Sequence, residues 1–189
     1  MEDAAFYLNR GNDYYKKSQY DQAISDYNKA LELNPRYAAA YLNRGLAYHH
    51  KGQYDEAISN YTKAFELNPR YAEAYYNRGY AYVDKGKYDE AILDYTKTIE
   101  LNPKFAEAYL NRGAAYAHEG KFDQAIPDFD KALELNPSSA EAYFNRGAAY
   151  YFKKKYEESW KDVEKARSLG NPVPPEFLDA LRKASGREK

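Results

Sequence analysis

Asparagine recurs at positions 9, 43, 77, 111 and 145, always 34 residues apart and without an insertion. An amide side chain carries both donors and an acceptor, so Asn9, Asn43, Asn77, Asn111 and Asn145 could each pair with both polar groups of a peptide backbone, whatever its side chains. Asparagine is a middling helix former, so propensity does not account for five of them. The histidines point to less. His49 and His50 are adjacent and diverge on a helix, and His118 lies two repeats from His50. Helix packing puts that separation at roughly 20 Å, whereas metal ligands must come within about 2 Å of the ion. No shared metal site is expected. No nucleophile–base pair, Gly-rich phosphate loop or paired-carboxylate constellation stands outside the repeats, so neither catalysis nor a cofactor is expected.

Composition narrows the partner. The 189 residues carry 28 basic and 29 acidic side chains, a formal net charge of -1. Nucleic-acid surfaces need clustered excess Lys and Arg, so nucleic acid is not an expected partner. No run of about 18 apolar residues exists for membrane insertion. Met1-Glu2-Asp3 leads into no apolar block, so no secretory leader is expected and a cytoplasmic location is. Cysteine is absent, which removes disulfide and thiolate chemistry.

The elements that hold these groups are written in the repeat. Tyr7-Leu8-Asn9-Arg10-Gly11 returns at 41, 75, 109 and 143, with Tyr or Phe at the second place in two copies. Tyr20-Asp21-Gln22-Ala23-Ile24 returns in step at 54 and, as Phe122-Asp123-Gln124-Ala125-Ile126, at 122. Asn-Pro closes four copies at 34, 68, 102 and 136. Small and apolar residues keep helical spacing between these blocks: Tyr41, Gly45, Tyr48, then Ala57, Ile58, Tyr61, Ala64, Phe65. Gly52, Gly86 and Gly120 signal a turn between two helices of about 13 residues each. Asp55, Asp89 and Asp123 are expected to cap the second helix, and the residue before each proline to end it. With Asp123 as cap, Pro127 is the fourth helical residue and loses one bond, to Asp123.

In these blocks and this period the chain resembles the tetratricopeptide repeat (TPR) family over residues 4–173. The resemblance implies an all-α, right-handed TPR solenoid of five units (4–37, 38–71, 72–105, 106–139, 140–173). Residues 174–189 then form a capping helix, with Phe177, Leu181 and Ala184 on one face and a tail fraying from 185. It also implies a concave groove lined by the first helix of each unit. Nineteen of the 23 tyrosines repeat as framework, whereas Tyr15, Tyr76, Tyr80 and Tyr151 fall on groove places. They either fill space between first helices or form an aromatic platform for a ligand chain. The five asparagines occupy a groove place, similar to an asparagine ladder with which a glycosyltransferase of this family grips extended substrates. First helices about 8–10 Å apart and a peptide rise of about 3.3 Å would bring one Asn into register with every third ligand residue. The alternative is that these amides hold neighbouring helices together or bind water.

Two charge patterns complete the expectation. Arg10, Arg44, Arg78, Arg112 and Arg146 stand where the family usually has an apolar residue. A hairpin sets them level with Asp26, Asn60, Asp94, Asp128 and Asp162, so Arg–Asp pairs are expected in every unit except the second. The family's clamp for acidic chaperone tails is matched at Asn12 and Asn43 only. Leu8, Glu73 and Asn77 stand where it needs Lys or Arg, and Glu73, Glu107 and Glu141 would repel an acidic tail. The expected function is a non-catalytic scaffold that binds an extended, apolar to basic segment of a partner protein. The alternative is a scaffold that forms homo-oligomers through an end or its convex face.

Overall fold

The computed structural model describes residues 3–187, which form eleven helices and, among those residues, no strand. One compact unit runs to Asn102 and a second begins at Pro103. The first holds α1 (Ala4–Lys16), α2 (Tyr20–Leu33), α3 (Ala38–His50), α4 (Tyr54–Leu67), α5 (Ala72–Asp84) and α6 (Tyr88–Leu101). The second holds α7 (Ala106–His118), α8 (Phe122–Leu135), α9 (Ala140–Phe152), α10 (Tyr156–Ser168) and α11 (Pro175–Ser185). Odd and even neighbours pair as antiparallel hairpins, and in the first unit α1, α3 and α5 lie side by side. In the second, α7 lies beside α9 and α11 packs on α10.

The hairpins close on a glycine–aromatic contact. A Cβ built on Gly11 would meet the Tyr27 ring at 2.6 Å, and one on Gly45 would meet the Tyr61 ring at the same distance. Phe129 takes the tyrosine's place opposite Gly113, and Val163 does so opposite Gly147. Ala23, Ala57, Ala91 and Ala125 are wholly buried beside them. Helices this close leave no room for a methyl group, which is why small residues recur at both places.

Several local expectations need correction. The second helices begin two residues earlier than expected, at Tyr54, Tyr88 and Phe122, after Gln53, Lys87 and Lys121, which make no side-chain cap. Asp55 and Asp123 therefore sit inside the first turn and do not cap. Asp55 bonds Lys85 and Asp123 bonds Lys153, as Asp21 bonds Lys51, each tying a second helix to the turn of the next hairpin. Pro127 is consequently the sixth residue of α8. The Asn-Pro signal does end the helices, and the asparagine adds a turn of its own. Asn34 Oδ1 accepts from the Arg36 N–H at 3.1 Å, and Asn68 Oδ1 from the Arg70 N–H at 3.2 Å.

The turn residue after the first helix is left-handed throughout. Gly52, Gly86 and Gly120 have φ of 72°, 70° and 70°, but Ser18 and Lys154 hold 57° and 59° with a side chain. Only glycine adopts that region freely. The tail expected to fray from 185 is held as far as the described residues go. Trp160 Nε1 donates to Ser185 Oγ at 3.0 Å, and Arg187 lies over the Trp160 ring and bonds Glu157. Residues 188 and 189 lie outside the described residues. Leu181 is fully buried against Trp160 and Val163, with Phe177 packed beside them.

Candidate functional site

The repeated arginines form the rigid backing. Arg10 grips Asp26 with Nε and Nη2 at 2.6 and 2.8 Å. Arg78 grips Asp94 at 2.7 and 2.8 Å, Arg112 grips Asp128 at 2.8 and 2.7 Å, and Arg146 grips Asp162 at 2.6 and 2.7 Å. Two-pronged pairs of this kind fix orientation as well as attraction. The sequence did not disclose a further bond, to the preceding hairpin. Nη1 of Arg44 reaches back to Asn28 at 2.6 Å, that of Arg78 to Thr62 at 3.0 Å and that of Arg146 to Asp130 at 2.6 Å. One side chain thus closes its own hairpin and fastens it to the one before. In the second repeat the partner is the amide of Asn60, at 2.8 Å.

The five asparagines do not share one environment. Asn9 is exposed on α1. Asn43 donates from Nδ2 to Asn12 Oδ1 at 2.8 Å, and Asn12 also accepts from the Tyr27 hydroxyl at 2.9 Å. The two amides that match the acidic-tail clamp are thus bonded to each other. For Asn77 the place of Asn12 is taken by Leu46, which lines the same cleft, and Asn77 turns back to donate to the Glu73 carbonyl of its own helix at 2.7 Å. Asn111 is half-buried and already partnered. For Asn145 that place is Ala114, and both line an open cleft.

The four tyrosines divide as well. Tyr15 packs into the core of the first hairpins, its ring 5.6 Å from Tyr20 and 5.5 Å from His50. Burial raises its pKa. Tyr76 lies 5.8 Å from Tyr95. Tyr151 packs against Phe177 of α11 at 5.4 Å. Tyr80 alone of the four is in the exposed class, at 45%.

Two clefts result, one in each compact unit. In the first, Leu46, His49, His50, Tyr61, Asn77 and Tyr80 line about 360 Å³. His49 stands 5.3 Å from the Tyr80 ring, and its Nε2 lies 2.7 Å from Asp84 Oδ2, which links α3 to α5. His50 stacks flat on Tyr20 at 5.2 Å. Both histidines thus help to build an aromatic wall, a role that metal-ligand spacing does not reveal. In the second unit, Ala114, Ala117, Ala148, His118, Glu141, Asn145, Phe122 and Phe152 are among the residues lining about 630 Å³. Phe122 and Phe152 stack at 5.0 Å, and Phe152 is 61% exposed. Small side chains make this cleft, a signal that a search for chemically active residues passes over. Glu73 is exposed on α5, and Glu107 and Glu141 line a further recess of about 210 Å³. Neither of the two main clefts is lined by a Lys or Arg.

Paired helices of fixed length at a fixed period, locked by one arginine per hairpin, define a helical-repeat solenoid. The models of the TPR repeat match residues 11–52, 47–85 and 79–119, and those of the tetratricopeptide repeat match 106–139 and 129–161. The chain belongs to the tetratricopeptide repeat family. Among solved structures it is similar to MamA, at 31% identity over 84% of this chain and 93% of that one, with a TM-score of 0.80. It is similar to YrrB, described as a TPR protein with an unusual peptide-binding site, at 29% identity over 97% and 93%, with a TM-score of 0.78. Pseudomonas aeruginosa pilF, at 22% identity over 97% and 84%, shares the fold with a TM-score of 0.84. No curated protein sequence matches the chain.

Proposed function

We propose that this chain is a non-catalytic scaffold that binds an extended, apolar to basic segment of a partner protein along its first-helix clefts. The carrying observation is the composition of those clefts: aromatic and aliphatic walls, an amide in each, acidic residues nearby, and no Lys or Arg in either lining. Tyr80 and Phe152 offer large, rigid apolar surface, the type of side chain that anchors interfaces. Asp84 and Glu141 favour a cationic side chain and repel an acidic one. Asn77 and Asn145 can address the ligand's backbone through their remaining amide atoms. The likeness to YrrB supports a peptide as the ligand class.

A labelled peptide alternating Lys with Leu and Val tests this by fluorescence anisotropy. It is expected to bind and to weaken as salt rises, while the same peptide with Glu for Lys does not bind. Equal binding of both would remove the charge argument. A second reading, self-association, rests on Leu93, which is 70% exposed on α6. Light scattering at two concentrations separates it, because only self-association makes the apparent mass rise with concentration.

A further inference from the structure

Arg44 breaks the pattern of its siblings. In Arg10, Arg78, Arg112 and Arg146, Nη2 donates to an aspartate oxygen 2.7–2.8 Å away. In the second repeat that aspartate is Asn60, whose Nδ2 is committed to the Glu56 carbonyl at 2.8 Å. Its single oxygen serves Arg44 Nε, and Asn28 serves Nη1. Nη2 of Arg44 has no acceptor among the described residues, and the guanidinium has no carboxylate partner. Burial lowers the Arg44 pKa, whereas hydrogen bonds to Asp128 and Asp162 raise those of Arg112 and Arg146.

The buried Asn60 amide fills the place of the sibling carboxylate, and Arg44 also lines a cavity at the surface. Arg44 lines a cavity of about 390 Å³ with Tyr41, Ser59, Asn60, Thr62 and Lys63, Glu66 completing the rim. Ser59 is exposed and its hydroxyl makes no hydrogen bond among the described residues. Lys63 and Glu66 neutralise each other at 3.1 Å, which leaves the Arg44 charge uncompensated in the cavity. The cavity shares no residue with the two clefts described above.

We propose that this cavity is a second binding site, which takes an aspartate or glutamate carboxylate from an acidic segment of a partner protein onto the free Nη2 of Arg44. The choice of carboxylate follows from the charge of the guanidinium and from the four siblings, where an aspartate oxygen accepts from the Nη2 that Asn60 leaves free here. Ser59 lines the same cavity, and its hydroxyl offers a second donor. A partner could thus place a basic, apolar stretch in the clefts and an acidic side chain here, but the site does not depend on the clefts being occupied.

The test is an NMR titration of the whole chain that follows the Arg44 Nε–Hε signal, assigned by its loss in Arg44→Lys. The probes are the capped peptide Gly-Asp-Gly, its Gly-Asn-Gly counterpart and sodium phosphate. The aspartate peptide is expected to shift the signal saturably and the asparagine peptide to leave it in place. Asn60→Asp restores the sibling pairing and satisfies Nη2 and its charge from within, so the aspartate peptide should bind it at least about tenfold more weakly. Circular dichroism confirms that this variant folds. No saturable shift in the parent, an equal shift with the asparagine peptide, or equal affinity in Asn60→Asp overturns the proposal. Phosphate binding more tightly than the aspartate peptide also overturns it, by assigning the site to a free anion.

Discussion

Asn43 bonds to Asn12 across 2.8 Å between α3 and α1, so one amide of the repeated series is spent holding two first helices together. Asn43→Ala is expected to destabilise the chain by about 0.5–1.5 kcal/mol. Asn145→Ala removes an amide that lines the open cleft and is expected to stay within about 0.5 kcal/mol of the parent. Urea unfolding of both variants checks the contrast.

Gly45 and Gly147 occupy the same place in their hairpins but face different neighbours. A methyl group on Gly45 would lie 2.6 Å from the rigid Tyr61 ring, whereas one on Gly147 would lie 3.1 Å from a Val163 methyl. Gly45→Ala should cost about 1–3 kcal/mol through overpacking, and Gly147→Ala should cost less. Thermal unfolding of the pair decides the order.

Ser159 is wholly buried where four other repeats have alanine, and its Oγ has no hydrogen-bond partner among the described residues. A buried hydroxyl without a partner costs about 1–3 kcal/mol. Ser159→Ala should therefore stabilise the chain, by about 1 kcal/mol, with an upward shift of Tm as the readout. Lys154→Gly should stabilise too, because it removes a side chain from a left-handed turn residue.

The hydrogen bond from Lys85, with its charge, lowers the Asp55 pKa below the usual carboxylate value. A depressed folded pKa contributes stability that is present above the unfolded pKa and lost as pH falls through the folded one. Asp55→Asn should therefore be less stable than the parent at neutral pH and low salt. The difference should vanish once acid has protonated the carboxylate. The pair is exposed at the aspartate, so added salt should shrink the difference at neutral pH as well.

What the sequence disclosed and what it withheld follow one physical divide. A partner within one hairpin sits at a fixed chain separation, so Arg78 and Asp94, sixteen residues apart, could be paired from spacing alone. The fate of Asn43 and Asn77 depends on what the preceding first helix presents, Asn12 in one case and Leu46 in the other. The bonds from Arg44, Arg78 and Arg146 to the preceding hairpin and the tie from Asp55 to Lys85 likewise run between hairpins. The expected Asp55 cap failed because helix ends shift by one or two residues, here two, without disturbing the core pattern. The α9 cleft arose from alanines, which carry no chemistry to attract notice.

The most direct measurement of the central claim is the affinity of the Lys–Leu–Val peptide for Tyr80→Ala, by isothermal titration calorimetry, beside its unfolding free energy. Tyr80 is the exposed aromatic wall of the first-unit cleft. The account predicts at least about a tenfold loss of affinity, about 1.4 kcal/mol, with stability within about 0.5 kcal/mol of the parent. Unchanged affinity in a folded variant would contradict it.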